Sequence, residues 1–184
     1  MKKLIILDRD GVINHDSDEY IKSLQEWQPI EGSLEAIARL NHAGYQIVVA
    51  TNQSGIARKL FTMDTLVDMH NKMIRLVEEV GGHIDAIFFC PHAPRDHCDC
   101  RKPKPGMLID ISKRFHVPFK NLIVVGDSLR DLQAASAINA QPYLVKTGKG
   151  EKIVGLLDES GLGDVPVFND LADFAEHLIA NPSS

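Results

Sequence analysis

KLIILDRDGVIN, residues 3–14, sets four consecutive apolar side chains, Leu4 to Leu7, directly before Asp8 and Asp10. An unbroken apolar run, as opposed to one alternating with polar residues, fits a parallel strand covered on both faces. The pattern recurs at YQIVVAT (45–51), IDAIFF (84–89), LIVVGD (122–127) and PYLV (142–145). Amphipathic segments fill the gaps. Leu34, Ile37 and Ala38 share a helix face that Gly44 would close, and Thr62 is placed to cap a longer helix carrying Leu66, Val67, Met73, Ile74 and Val77. Further helices are expected after Pro105 and Ser128 and a last one from about Asn169, while the glycine-rich stretch 148–164 reads as a peripheral loop. Strand–helix alternation implies an α/β fold, a three-layer Rossmann-like sandwich with a parallel sheet and right-handed crossovers.

The chain has 184 residues, 44% hydrophobic and 24% charged, which suits one soluble domain spanning 1–184. A net charge of −5 gives no support to nucleic-acid or anionic-membrane binding. Asp8 ends the first apolar run too early for a signal peptide, and no stretch approaches a membrane span. Cys90, Cys98 and Cys100 are the only cysteines, an odd number without a disulfide framework, so reduced thiols and a cytoplasmic location are expected.

Ligands of open parallel sheets bind at the carboxyl ends of the strands. The residues following four of the apolar runs are Asp8-Arg9-Asp10-Gly11, Thr51-Asn52-Gln53-Ser54, the segment from Cys90, and Gly126-Asp127-Ser128. Asp8 and Asp10, two residues apart, repel unless a cation or a proton holds them together. Asp127 adds a third hard oxygen ligand from another strand end, and such a set suits magnesium. The spacing C-x-H-x5-C-x-C offers Cys90, His92, Cys98 and Cys100 as a tetrahedral zinc set, with His97 left over as a loop residue. Four protein ligands leave no position for water or substrate, so this zinc is structural, and it fixes the backbone just before Arg101 and Lys102.

DRDGVIN (8–14), ATNQSG (50–55), RKPKPG (101–106) and VGDSLRD (125–131) resemble, in order and spacing, the four motifs of the haloacid dehalogenase-like phosphatases. TNQSGIAR followed by C-x-H…C-x-C-R-K-P resembles their histidinol-phosphatase-related branch. The resemblance implies that Asp8 is the nucleophile that forms an aspartyl phosphate and that Asp10 is the general acid and base. It implies magnesium on Asp8, Asp127 and the backbone carbonyl of Asp10, with Thr51 binding the transferring phosphoryl group. Lys102 would neutralise that group, with Lys104 as the alternative, and Asp131 would orient the lysine or the metal shell. No stretch after Asp10 or Thr51 is long enough for a large cap domain, so the site is expected to be open. Specificity would come from Asp16, Tyr20, Asn52, Gln53, Ser54 and Arg101.

The implied substrate is a small sugar bisphosphate, with histidinol phosphate as the alternative, and the implied state is a monomer. Two non-enzymatic readings compete: a zinc-binding interaction module, and a receiver-like domain phosphorylated on Asp8 without turnover. The acidic net charge and the lack of an aromatic-basic stripe argue against a nucleic-acid-binding module, and Asp10 argues against the receiver, because a phosphatase needs that acid and base.

Overall fold

β1 (Lys3–Leu7) lies inside a six-stranded parallel sheet of order β3-β2-β1-β4-β5-β6 in the computed structural model, which describes residues 3–181. The neighbours of β1 are β2 (Tyr45–Asn52) and β4 (Leu122–Gly126), with Leu7 level with Val49 on one side and with Val125 on the other. β3 (Ala86–Cys90) pairs outside β2, and β5 (Gln141–Val145) and β6 (Val167–Phe168) extend the opposite edge.

Alternate residues of β1 serve opposite cores, which explains the unbroken apolar run. Ile5 and Leu7 pack with Ile47, Val49 and Val125 under α1 (Ser33–His42), α2 (Met63–Glu79) and α6 (Leu171–Ala180). Leu4 and Ile6 pack with Val48 and Val124 under α3 (Gly106–Phe115) and α4 (Leu129–Ser136). Each such side chain contributes about 1.5–3 kcal/mol on leaving water. Truncating Ile5 or Ile6 to alanine should cost about 2–5 kcal/mol, because these cores have little freedom to collapse.

The sequence signals for the helix ends appear as physical caps. The Thr62 hydroxyl accepts the Thr65 N–H at 3.1 Å to start α2, and Gly44 takes φ 89° just beyond α1. Leu66, Met73 and Val77 are buried on α2 as expected, but Val67 faces solvent at 47% exposure. It neighbours Leu66 on a helix that buries one stripe only.

The stretch 148–164 is more ordered than the loop expected for it. It holds the short helix α5 (Gly150–Val154), and its Leu157 and Leu162 form a small core with Val165, Leu132 and Leu144. β6, only two residues long, carries no periodicity to read. The last helix starts at Leu171, with the Asp170 side chain accepting from the Asp173 N–H at 2.8 Å. Among the described residues no helix is long and apolar enough to cross a membrane.

Candidate active site

The level register of the three central strands delivers Asp8, Thr51 and Asp127 to one edge of the sheet, where they line a polar cavity of about 200 Å³. Asp10, Asp16, Tyr20, Asn52, Gln53, Ser54, Arg101 and Lys102 line it too, so it gathers every residue that the sequence assigned to catalysis or substrate. Gly11, at φ 84°, and Gly148, at φ 61°, close over Asp127, and a β-carbon on either would overlap its carboxylate.

Lys102 is only 3% exposed. Its Nζ donates to the Ala50 carbonyl at 2.7 Å and pairs with Asp8 at 3.1 Å and Asp131 at 2.5 Å. Burial alone would lower its pKa, but Asp131 and Asp8 outweigh burial and raise it, so the ammonium stays charged. Asn52 holds the Lys102 backbone reciprocally: its Oδ1 accepts the Lys102 N–H at 3.1 Å and its Nδ2 donates to the Lys102 carbonyl at 3.0 Å. Lys104 lies outside, half-exposed and paired with Asp99 at 3.0 Å.

Asp131 also caps α4, accepting from the Ser128 N–H at 3.2 Å and hydroxyl at 2.6 Å. Asp10 accepts from Asn14 Nδ2 and Gln53 Nε2, both at 2.9 Å, and from Arg9. Burial pushes its pKa up, yet the Arg9 charge and these hydrogen bonds outweigh burial and leave it below the usual carboxylate value. Gln53 Nε2 donates to Thr51 Oγ1 as well, at 2.9 Å. The amides of Asn52 and Gln53, expected to meet substrate, are thus committed to the neighbouring machinery although both line the cavity.

Asp8 behaves oppositely to Asp10. Burial, then Asp131, raises its pKa well above the ordinary value, against the pull of Lys102. Asp127 is pushed up to about 7 by burial and then by Asp131, although Lys149 N–H donates to its Oδ2 at 2.8 Å. Crowded carboxylates that resist ionisation are what a divalent cation relieves. One oxygen from each of Asp8, Asp127 and Asp131 falls within 4.8 Å of the others. Lys102 and Ser128 engage Asp131, Lys102 also meets Asp8, and the Lys149 N–H meets Asp127.

The second cluster is equally convergent. Cys100 Sγ lies 3.2 Å from Cys90 Sγ, 3.6 Å from Cys98 Sγ and 3.4 Å from His92 Nδ1, and Cys90 Sγ is 3.6 Å from Cys98 Sγ and from His92 Nδ1. These separations are far beyond a disulfide bond and near the edge, about 3.8 Å, of a tetrahedron of thiolates around zinc. Burial and the hydrogen bond with Cys100 push the Cys90 thiol up to about 12, a penalty that a bound cation reverses.

Several lining residues escaped the sequence reading. Lys149 lies past the end of β5, in a stretch that reads as loop, and pairs with Asp16 at 3.1 Å and Asp18 at 3.5 Å. Arg130 sits inside VGDSLRD without an assigned role. Tyr20, expected from the sequence as a substrate contact, lines the cavity with φ 69° and receives the Arg58 guanidinium 5.9 Å from its ring centroid. Arg9, fully buried, gave no signal in sequence that it would turn back onto Asp10.

A largely buried carboxylate at a strand end, a second carboxylate two residues on and a buried lysine beside them fit a phosphoryl-transfer enzyme. The chain belongs to the haloacid dehalogenase-like hydrolase family, whose profile matches residues 2–139, and it is a phosphatase. It is 53% identical over 177 residues, 96% of this chain and 95% of the relative, to D-glycero-beta-D-manno-heptose-1,7-bisphosphate 7-phosphatase of Neisseria meningitidis serogroup A. The protein of that name from Pseudomonas aeruginosa is 53% identical over 179 residues, covering 97% of this chain and 98% of that one. The crystal structure of D,D-heptose 1,7-bisphosphate phosphatase from B. bronchiseptica, complexed with magnesium and phosphate, superposes with a TM-score of 0.92 at 53% identity, covering 98% of this chain and 99% of that one.

Proposed function

We propose that this phosphatase removes the 7-phosphate of D-glycero-D-manno-heptose 1,7-bisphosphate, leaving the 1-phosphate in place. The observation that carries the reading is the gathering of four cations, Lys102, Arg101, Arg130 and Lys149, around one cavity. Lys102 lies deep beside Asp8, and Arg101, Arg130 and Lys149 line the same cavity around it. One phosphate can meet Lys102 and Thr51 while a second meets the other cations. The likeness to heptose bisphosphate phosphatases over nearly the whole chain supports the same substrate.

In the proposed mechanism an Asp8 oxygen attacks phosphorus in line, and the bond to the sugar C7 oxygen breaks as Asp10, which takes up a proton when the anionic substrate lies beside it, gives that oxygen the proton. Asp10 then takes a proton from water, and the hydroxide displaces Asp8, releasing inorganic phosphate. Thr51 and Lys102 hold the equatorial oxygens, where charge must be met throughout. Asp8, Asp127 and the Asp10 carbonyl would hold magnesium, which supplies charge neutralisation between the two anions. Cys90, His92, Cys98 and Cys100 would hold a structural zinc that stiffens the approach to Arg101 and Lys102.

We read the chain as one monomeric cytoplasmic domain acting on a small molecule, with neither nucleic acid nor membrane as partner. The reaction would serve nucleotide-activated heptose supply for surface glycans such as lipopolysaccharide. The test is release of inorganic phosphate from a panel of esters. The heptose bisphosphate should be hydrolysed with the highest kcat/KM, and histidinol phosphate matching it would overturn the substrate.

A further inference from the structure

Arg9 has no part in the chemistry above, yet its side chain is fully buried. Its guanidinium folds back on the next residue: Nε and Nη2 donate to Asp10 Oδ1 at 3.0 and 2.8 Å, and Nη2 also reaches Oδ2 at 3.0 Å. Nη1, on the other side, lies 3.4 Å from Nε2 of His70, a buried residue of α2 whose ring leans on Phe89 with centroids 6.1 Å apart. A guanidinium only donates, so that Nε2 is the lone-pair nitrogen and His70 is neutral with its proton on Nδ1. Burial, then the charge of Arg9, agrees with this by holding the His70 pKa down to about 3 against the opposite pull of Asp10.

An apolar side chain would fill the space of Arg9 without the desolvation that a buried guanidinium demands, so stability does not account for it. Geometry does. The Asp10 side chain is 21% exposed, and a carboxylate on a short stem at a cavity wall can rotate toward water. The flat fork of Arg9 fixes both of its oxygens, and His70 fixes the fork. We infer that Arg9, backed by His70, is a positioning residue that aims the Asp10 carboxyl at the leaving oxygen. The inference rests on the role of Asp10 as general acid proposed above. The same fork stabilises the anion that Asp10 becomes once the proton has left.

Leaving-group dependence tests it in the magnesium-loaded enzyme. kcat/KM reports only the steps through leaving-group departure, and p-nitrophenolate departs without a proton whereas an alkoxide does not. The two probes are p-nitrophenyl phosphate and the primary-carbon phosphate that the panel finds best. His70→Leu should lower kcat/KM about tenfold for the alkyl ester and less than about twofold for the aryl ester, since small misplacements of a catalytic group carry penalties of this order. His70→Gln, whose carbonyl can accept from Arg9, should recover most of the loss. Arg9→Lys keeps the charge but not the fork and should lose about a hundredfold on the alkyl ester alone. Asp10→Asn serves as the reference for a missing acid. If it is alkyl-selective while the Arg9 and His70 variants slow both esters equally, or neither, the positioning role is overturned and the acid role stands. If Asp10→Asn shows no selectivity, the acid role falls and the inference with it.

Discussion

The Asp131 carboxylate meets the Lys102 ammonium at 2.5 Å with both side chains buried, so the residue that caps α4 is also the anchor of the site's lysine. The start of α4 and the site's buried cation are one unit. Asp131→Asn should weaken both: we expect about 1 kcal/mol lost at the cap and a fall in kcat of about tenfold to hundredfold as Lys102 loses its anchor. Lys102→Met should be worse, about a hundredfold to a thousandfold in kcat, because it removes the cation facing the equatorial oxygens. Thermal melts and steady-state kinetics on both variants check this. Near-normal kcat in Lys102→Met would move the role to Lys104.

Asp8→Asn should abolish turnover with little change in fold, since an amide cannot attack phosphorus. Asp10→Asn should still accept substrate but turn over at least about a hundredfold more slowly, the usual scale of general acid–base assistance. Phosphate-release assays with circular dichroism as a fold control separate the two effects. Residual activity near wild type in Asp8→Asn would refute the aspartyl-phosphate route.

The fold and most of the site were legible in the sequence, for a reason visible in β1. Ile5 and Leu7 feed one core and Leu4 and Ile6 the other, so an unbroken apolar run was the signature of a two-faced strand, and the polar residues after it had to emerge at the sheet edge. What stayed hidden depends on side-chain direction. Nothing in DRDG says that Arg9 folds back on Asp10, or that Asn52 and Gln53 turn inward to Lys102, Thr51 and Asp10. β6 was missed because two residues carry no period, and Lys149 because its neighbourhood reads as loop.

Magnesium and protons should compete at Asp127. Its folded pKa, about 7, lies above the ordinary value of 3.8. The folded state therefore holds this proton more tightly, and the associated stability is present in acid and lost as pH rises through about 7. A cation replaces the proton in the upper part of that window. Magnesium added to chelator-treated protein should raise Tm by several degrees at pH 8 and hardly at all at pH 5. Equal shifts at both values would place the ion away from Asp8 and Asp127.

The two metals should separate cleanly. A mild chelator should stop catalysis reversibly while zinc stays on the washed protein, because four closed ligands release an ion slowly. Cys98→Ser and Cys100→Ser should lose zinc and lower Tm, since the binding energy of a structural site is partly folding energy. Elemental analysis of protein purified without chelator checks the content, and absence of zinc there would remove the structural role assigned to residues 90–100.

Substrate choice should depend on the cations away from Lys102. Arg101 donates to the His92 carbonyl at 3.3 Å, and its charge is disfavoured first by burial and then by Arg130. A second phosphate relieves that repulsion, whereas the imidazole and amine of histidinol phosphate offer no anion to it. Contacts far from the reacting phosphorus raise the specificity constant when they hold the substrate in register. Arg101→Ala should therefore reduce kcat/KM for the heptose bisphosphate by about tenfold to hundredfold, the scale of hydrogen bonds to a charged group. It should leave a minimal ester such as p-nitrophenyl phosphate nearly untouched, and it should narrow the preference over histidinol phosphate. Arg130→Ala should act in the same direction and also ease the lowering of the Arg101 pKa in part, since the like charge beside it is gone while the burial remains. A variant pair that slows the minimal ester as much as the bisphosphate would show that these arginines serve the reacting phosphate, not the distant one.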